Sequence, residues 1–131
     1  MRKIENFVNL IFNCRIAYII SLENKNDISK DIIYAMGLLH DIGRCQSYQT
    51  EVEHDVAGAE LAITIMNDVG YSKYEIDMIM DVILNHRNSS VKNNLCKILY
   101  KADKLSRQCF KCCVQRDCYW DEIRKNKILI Y

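Results

Sequence analysis

Apolar residues recur at three- and four-residue intervals along most of the chain, the spacing that lines one face of an α-helix. Ile4, Phe7, Val8, Ile11, Phe12, Ile16, Ile19 and Ile20 form the first such stripe and predict a helix ending near Leu22. Glu23 to Asn26 is a polar connection, and Asp27 is the expected N-cap of a second helix. That helix carries Ile32, Ile33, Ala35, Met36, Leu38 and Leu39, is apolar on nearly every side, and runs up to His40 and Asp41. It therefore belongs at the centre of the fold. Gly43 and residues 46–53 read as a surface loop. Val56, Ala57, Ala59, Leu61, Ala62, Ile65 and Met66 predict a third helix that stops at Gly70. Ser72 and Glu75 have the spacing of a capping box and open a fourth helix through Ile76, Ile79, Met80, Ile83 and Leu84 to His86. After the polar residues 87–94, Leu95, Ile98, Leu99, Ala102 and Leu105 give a fifth helix, and Ile128 to Tyr131 form a packed end or a small strand. With no repeat, low-complexity tract or linker, the pattern predicts an all-α, compact helical bundle of about five or six main helices.

Composition narrows the class. A chain of 131 residues, half of them hydrophobic, with 18 basic and 17 acidic side chains, has the size and charge of one soluble domain. It contains no proline, which favours unbroken helices. A net charge of +1 leaves no excess to hold a phosphate backbone, so dedicated nucleic-acid binding is not expected. The first apolar stretch includes Asn9, Asn13 and Arg15, too polar for a signal-peptide core or a membrane span. The expectation is a cytoplasmic protein without a membrane partner. In that compartment the seven cysteines are thiols, packing residues or metal ligands before they are disulfides.

The three histidines occupy special places. His40 and Asp41 close the second helix, His54 precedes the third and His86 ends the fourth, while Asp103 borders the buried stripe of the fifth. A lone histidine at an apolar helix end is ordinarily a core or capping residue, and an aspartate there a cap. As a set they read differently, because no histidine is left over for an ordinary surface position. Imidazole and carboxylate together suit divalent Zn, Mn, Fe or Ni.

At these residues the chain resembles a known family. Leu38-Leu39-His40-Asp41-Ile42-Gly43-Arg44 is similar to the signature of the HD-domain superfamily, metal-dependent phosphohydrolases built as helical bundles, and specifically to its small HDIG-like members. His54-Asp55-Val56-Ala57-Gly58-Ala59, Ile83-Leu84-Asn85-His86 and Lys101-Ala102-Asp103-Lys104-Leu105-Ser106 continue the resemblance in order and spacing. It implies an HD domain over residues 1–108 and one or two divalent ions, with Mg added to the metals above. It implies as ligands His40, Asp41, His54, His86 and Asp103. In two-metal members one ion takes a first-helix histidine, the HD pair and the last aspartate, and the other shares the HD aspartate with the two later histidines. Here the second set is complete as Asp41, His54 and His86, and the first lacks one ligand. Arg15-Ile16 look like the pair that follows the first-helix histidine, which puts Phe12 in its place; a slip of one residue gives Asn13.

The resemblance implies hydrolysis of a phosphomonoester, phosphoanhydride or phosphodiester in a small, nucleotide-like substrate. Asp41 would serve the metal-activated water and Arg44 a substrate phosphate, with Lys104 and Arg107 as further cations. The alternative set by Phe12 is a non-catalytic HD module that binds nucleotide or metal. Residues 109–131 form a Cys-rich extension, in which Cys109, Cys112, Cys113 and Cys118 have ligand-like spacing for Zn or an iron–sulfur centre, with Cys45 an open candidate for a fourth ligand. A metal or redox sensor built on that cluster is the third reading, and thiols packed around Trp120 the plainest one.

Overall fold

The computed structural model describes residues 2–42, 54–86, 93–112 and 115–131. Among them are five α-helices and no strand: α1 (Arg2–Glu23), α2 (Lys30–Leu39), α3 (His54–Val69), α4 (Lys73–Asn85) and α5 (Asn94–Leu105), followed by short 3-10 turns at Cys109–Lys111 and Gln115–Asp117. The all-α expectation holds. The tail at Ile128 to Tyr131 forms no strand, and Ile128, Leu129 and Ile130 stay exposed.

The ends of the helices follow from local chemistry. α1 closes in a Schellman turn: Lys25 takes the left-handed conformation (φ 56°), the Lys25 N–H donates to the Leu22 carbonyl and the Asn26 N–H to the Ser21 carbonyl. Ser29, not Asp27, caps α2, because its hydroxyl is the group placed to accept from the Ile32 N–H at 3.4 Å. α3 ends in the same motif as α1, with Gly70 at φ 90° and the Tyr71 N–H bonded to the Met66 carbonyl. The expected capping box is formed: Ser72 Oγ accepts from the Glu75 N–H at 3.3 Å, and the Glu75 carboxylate accepts from the Ser72 N–H at 2.8 Å. Asn93 caps α5, and its amide also donates to Asp81 at 2.6 Å, tying the start of α5 to α4.

Helix α2 is central, as its all-round apolar character requires. It packs on α1 and α4, while α1 also packs on α5, and α4 on α3 and α5. Ile33, Met36, Met66, Ile79, Val82, Ile83 and Leu99 are fully buried between them. Helices α1 and α2 approach so closely that a Cβ on Gly37 would lie 2.6 Å from Cys14 Sγ. Beyond α5, Asn126 donates to the carbonyls of Lys104 (2.7 Å) and Arg107 (2.8 Å), which fastens the last segment to the end of that helix. Trp120 is buried there, with the Arg107 guanidinium 4.6 Å from its ring centre.

Candidate metal centre

The C-terminal ends of α2, α4 and α5 meet at one point, and each delivers a side chain already aimed. His40 is the C-cap of α2, and its Nδ1 lies 2.7 Å from the Gly37 carbonyl oxygen one turn back. His86, the C-cap of α4, repeats the device, with Nδ1 2.6 Å from the Ile83 carbonyl. A carbonyl only accepts, so each Nδ1 carries a proton and each ring presents Nε2 to the cluster. His40 Nε2 stands 3.4 Å from Asp41 Oδ2 and 3.7 Å from Asp103 Oδ1, and His86 Nε2 is 3.8 Å from Asp41 Oδ1. The two rings meet edge to face, 5.1 Å between centres. Asp41 thus sits between the two imidazoles.

Charge is distributed to match. Burial works against a charged His40 ring, but the Asp103 and Asp41 carboxylates outweigh it and push its pKa up to about 9. Burial acts on Asp103 in the opposite sense, and His40, Lys104 and Arg107 together hold its carboxyl below the usual carboxylate range. His40 is 2% exposed, and its Nε2 has no hydrogen-bond partner among the described residues despite the two carboxylates nearby.

These residues fit a divalent cation. Two ligand atoms each about 2.1 Å from one ion stand about 3 to 3.5 Å apart, close to the spacings of His40, Asp41 and Asp103. One donor atom each from His40, Asp41 and His86 lies within 4.8 Å of the others. Two carboxylates facing one buried imidazole nitrogen call for positive charge among them, either a proton on Nε2 or a bound cation. Imidazole and carboxylate in this arrangement are a donor set that a divalent metal takes.

A family model for the HD domain matches residues 14–108. The chain belongs to the HD domain family. It is 34% identical over 126 residues to an uncharacterized protein of Clostridium beijerinckii, a match covering 96% of this chain and 80% of that one. It is also similar to two much longer proteins named ribonuclease Y. One, from Mycoplasma genitalium, is 30% identical over 82 residues (61% of this chain and 15% of the relative). The other, from Mycoplasma pneumoniae, is 33% identical over 92 residues (69% and 16%). No solved structure matches the chain.

Not every residue singled out in this HD domain falls at the centre. His54 opens α3, but its side chain, like Arg44, Cys45 and Cys113, lies outside the described residues. Lys104 Nζ is 3.9 Å from Asp103 Oδ2 and faces the Tyr100 ring, at the rim of the centre. The Arg107 guanidinium lies over Trp120, from where its charge still acts on Asp103. Phe12 is half-buried and lines a crevice with Ile16, Leu105 and the tail residues Ile128 to Tyr131. In the C-terminal segment Cys109 is buried, Cys112 exposed and Cys118 half-buried. Among the described residues no cysteine joins a group of three or more ligands placed to hold an ion, and Cys118 Sγ accepts from the Trp120 N–H at 3.4 Å. Asn13 follows Phe12 on α1. It is 1% exposed, and its side-chain oxygen has no hydrogen-bond partner among the described residues.

No helix of the described residues is long and apolar enough to cross a membrane.

Proposed function

We propose that this HD domain is a metal-dependent phosphohydrolase with His40, Asp41, His54, His86 and Asp103 as metal ligands, acting on a phosphate ester or anhydride of nucleotide-like character. The observation that carries this reading is the convergence of His40, Asp41 and His86 on one point, with the buried Nε2 of His40 turned into it. A divalent ion held there would supply a water of lowered pKa and positive charge against developing phosphoryl charge. The chain's own residues do the rest. The Gly37 and Ile83 carbonyls lock the tautomers of His40 and His86, so both rings offer Nε2 without a rearrangement. Asp41 lies within reach of both imidazoles and is the group suited to bridge two ligand sets. Arg44, three residues beyond Asp41, is assigned to a substrate phosphate, and Lys104 stands at the rim as a second cation.

Residues 1–108 are taken as the HD domain and 109–131 as an extension packed on it, which the Asn126 bonds to the end of α5 support. Two relatives carry the name ribonuclease, so a short RNA belongs beside nucleotides and phosphomonoesters in the substrate panel. Phe12, in place of the first-helix histidine, favours a second reading, an HD module that binds nucleotide without turnover. Protein purified without a histidine tag should contain divalent metal by elemental analysis and release phosphate or cleave a diester with a member of the panel. Asp41→Ala should abolish both. Metal-loaded protein inert on the whole panel would decide for the binding module, and folded protein that takes up no metal would sink both the catalytic and the metal reading.

A further inference from the structure

We propose that Asn13 is the ligand that α1 contributes to the metal centre, its side-chain oxygen taking the place of the imidazole that is absent at Phe12. This rests on the metal-dependent reading above and specifies it for this chain.

Helices α1 and α2 run antiparallel: Cys14 packs on Gly37, and the ring of Tyr18 meets that of Tyr34 edge on at 6.4 Å. One turn beyond Gly37, α2 reaches His40, so His40 lies level with the stretch of α1 just before Cys14. Helices α1 and α5 are antiparallel too, since Ile20 and Asn24 line one crevice with Asn94 and Ile98, and Phe12 and Ile16 another with Leu105. Asp103, half a turn before Leu105, is therefore also level with the turn around Asn13. Successive residues rotate by about 100° around a helix. The row holding Cys14 and Tyr18 faces α2, and the row holding Phe12 and Ile16 faces the end of α5 and the tail. Asn13 and Ala17, both fully buried, form the row between them, which points inward. Helical side chains also lean toward the N-terminus of their helix, which carries the Asn13 amide from the level of Gly37 toward that of His40.

Its chemistry fits what it finds there. A buried amide oxygen without a donor costs about 1–3 kcal/mol, and apolar packing would avoid that cost entirely. The groups that converge at this level among the described residues are the His40 and His86 imidazoles and the Asp41 and Asp103 carboxylates, and a cation held among them would take an amide oxygen as well. An amide oxygen is also an ordinary ligand for hard divalent ions.

The test is Co2+ binding to the full chain, read by chelator competition and by the visible spectrum of the bound ion, beside thermal melting of the metal-free protein. Asn13→Leu should lower Co2+ affinity at least tenfold and change the spectrum, while metal-free protein melts no lower than wild type. Asn13→Asp, nearly the same size, should keep or strengthen binding, and this variant decides the matter should Asn13→Leu not fold. Phe12→His should leave affinity unchanged, because that position faces the tail. Wild-type affinity and spectrum in Asn13→Leu, weakened binding in Asn13→Asp, or a gain of affinity in Phe12→His would each overturn the proposal. Folded wild-type protein that binds no Co2+ would instead overturn the metal reading beneath it, so the two failures are told apart.

Discussion

Metal uptake by this protein should be a proton exchange centred on His40. In the metal-free protein Nδ1 already carries a proton bound to the Gly37 carbonyl, so the group that titrates is Nε2, and its pKa is pushed up to about 9 by Asp103 and Asp41. At pH 7, two units below that value, Nε2 is protonated in about 99 of 100 molecules. An ion that binds Nε2 must displace that proton. Its apparent affinity should therefore climb about tenfold per pH unit from 7 to 9, about a hundredfold in all, and level off above 9. Stability of the metal-free protein should move the other way. The folded-state value lies above the ordinary 6.5 of histidine, so protonation stabilises the fold fully below pH 6.5, and that contribution is lost as pH rises through about 9. The difference of about two and a half units corresponds to about 3 kcal/mol.

Two measurements check this together. Affinity for a divalent ion, read with a chelator at each pH from about 6.5 to 9.5, should rise while the melting temperature of metal-free protein falls. Calorimetry at pH 7 in two buffers of different ionisation enthalpy should show close to one proton released per ion at this site. An affinity flat across the range, with no buffer dependence, would refute the assignment of His40 Nε2 as a ligand that must first lose a proton. Asp103, held low partly by His40, adds stability above its ordinary pKa of 3.8 that is lost as pH falls through its lowered folded-state value, so metal-free protein should be most stable between the two limits.

Two further outcomes test the fold that carries the centre. Gly37→Ala would bring a methyl to 2.6 Å from Cys14 Sγ and should cost about 1–3 kcal/mol, read by denaturant unfolding; pairing it with Cys14→Ala, which removes the offending sulfur, should restore most of that. Lys25→Gly relieves a left-handed residue at the end of α1 and should stabilise by about 1 kcal/mol, with no change in metal affinity.

Where the sequence was sufficient, the determining contacts were short in range. The Ser72 and Glu75 capping box and the Gly70 turn each depend on residues within five positions, and both are formed as the spacing predicts. The central place of α2 followed from an apolar run with no polar face to expose. Asp27 and Ser29 are both good capping residues, and only the backbone path decides which side chain reaches the Ile32 N–H. The α1 ligand position was harder. Phe12 and Asn13 are neighbours, and which of them faces inward depends on how α1 rotates about its axis. That rotation is set by Cys14 against Gly37, twenty-three positions away. The cysteines are a third case: four within ten residues suggest a ligand set, but nothing in their spacing says whether the backbone brings the sulfurs to one point.

The centre is assembled at the expense of the metal-free fold, and that is its strongest physical claim to a ligand. Above about pH 9, where His40 Nε2 has lost its proton, that atom and Asn13 Oδ1 are both buried without a hydrogen-bond partner among the described residues, each at a cost of about 1–3 kcal/mol. A domain of this size is stable by only about 5–15 kcal/mol in total, so the two represent a large share of what holds it folded. Apolar side chains at the same positions would remove the cost and keep the packing, as Ala17 and Met36 do one turn away on the same helices. A cation held at a hundred times its dissociation constant stabilises the fold by about 3 kcal/mol, the same order as the deficit. Bound metal therefore offsets the arrangement that awaits it, and the metal-free protein should be the less stable form at every pH where the ion binds.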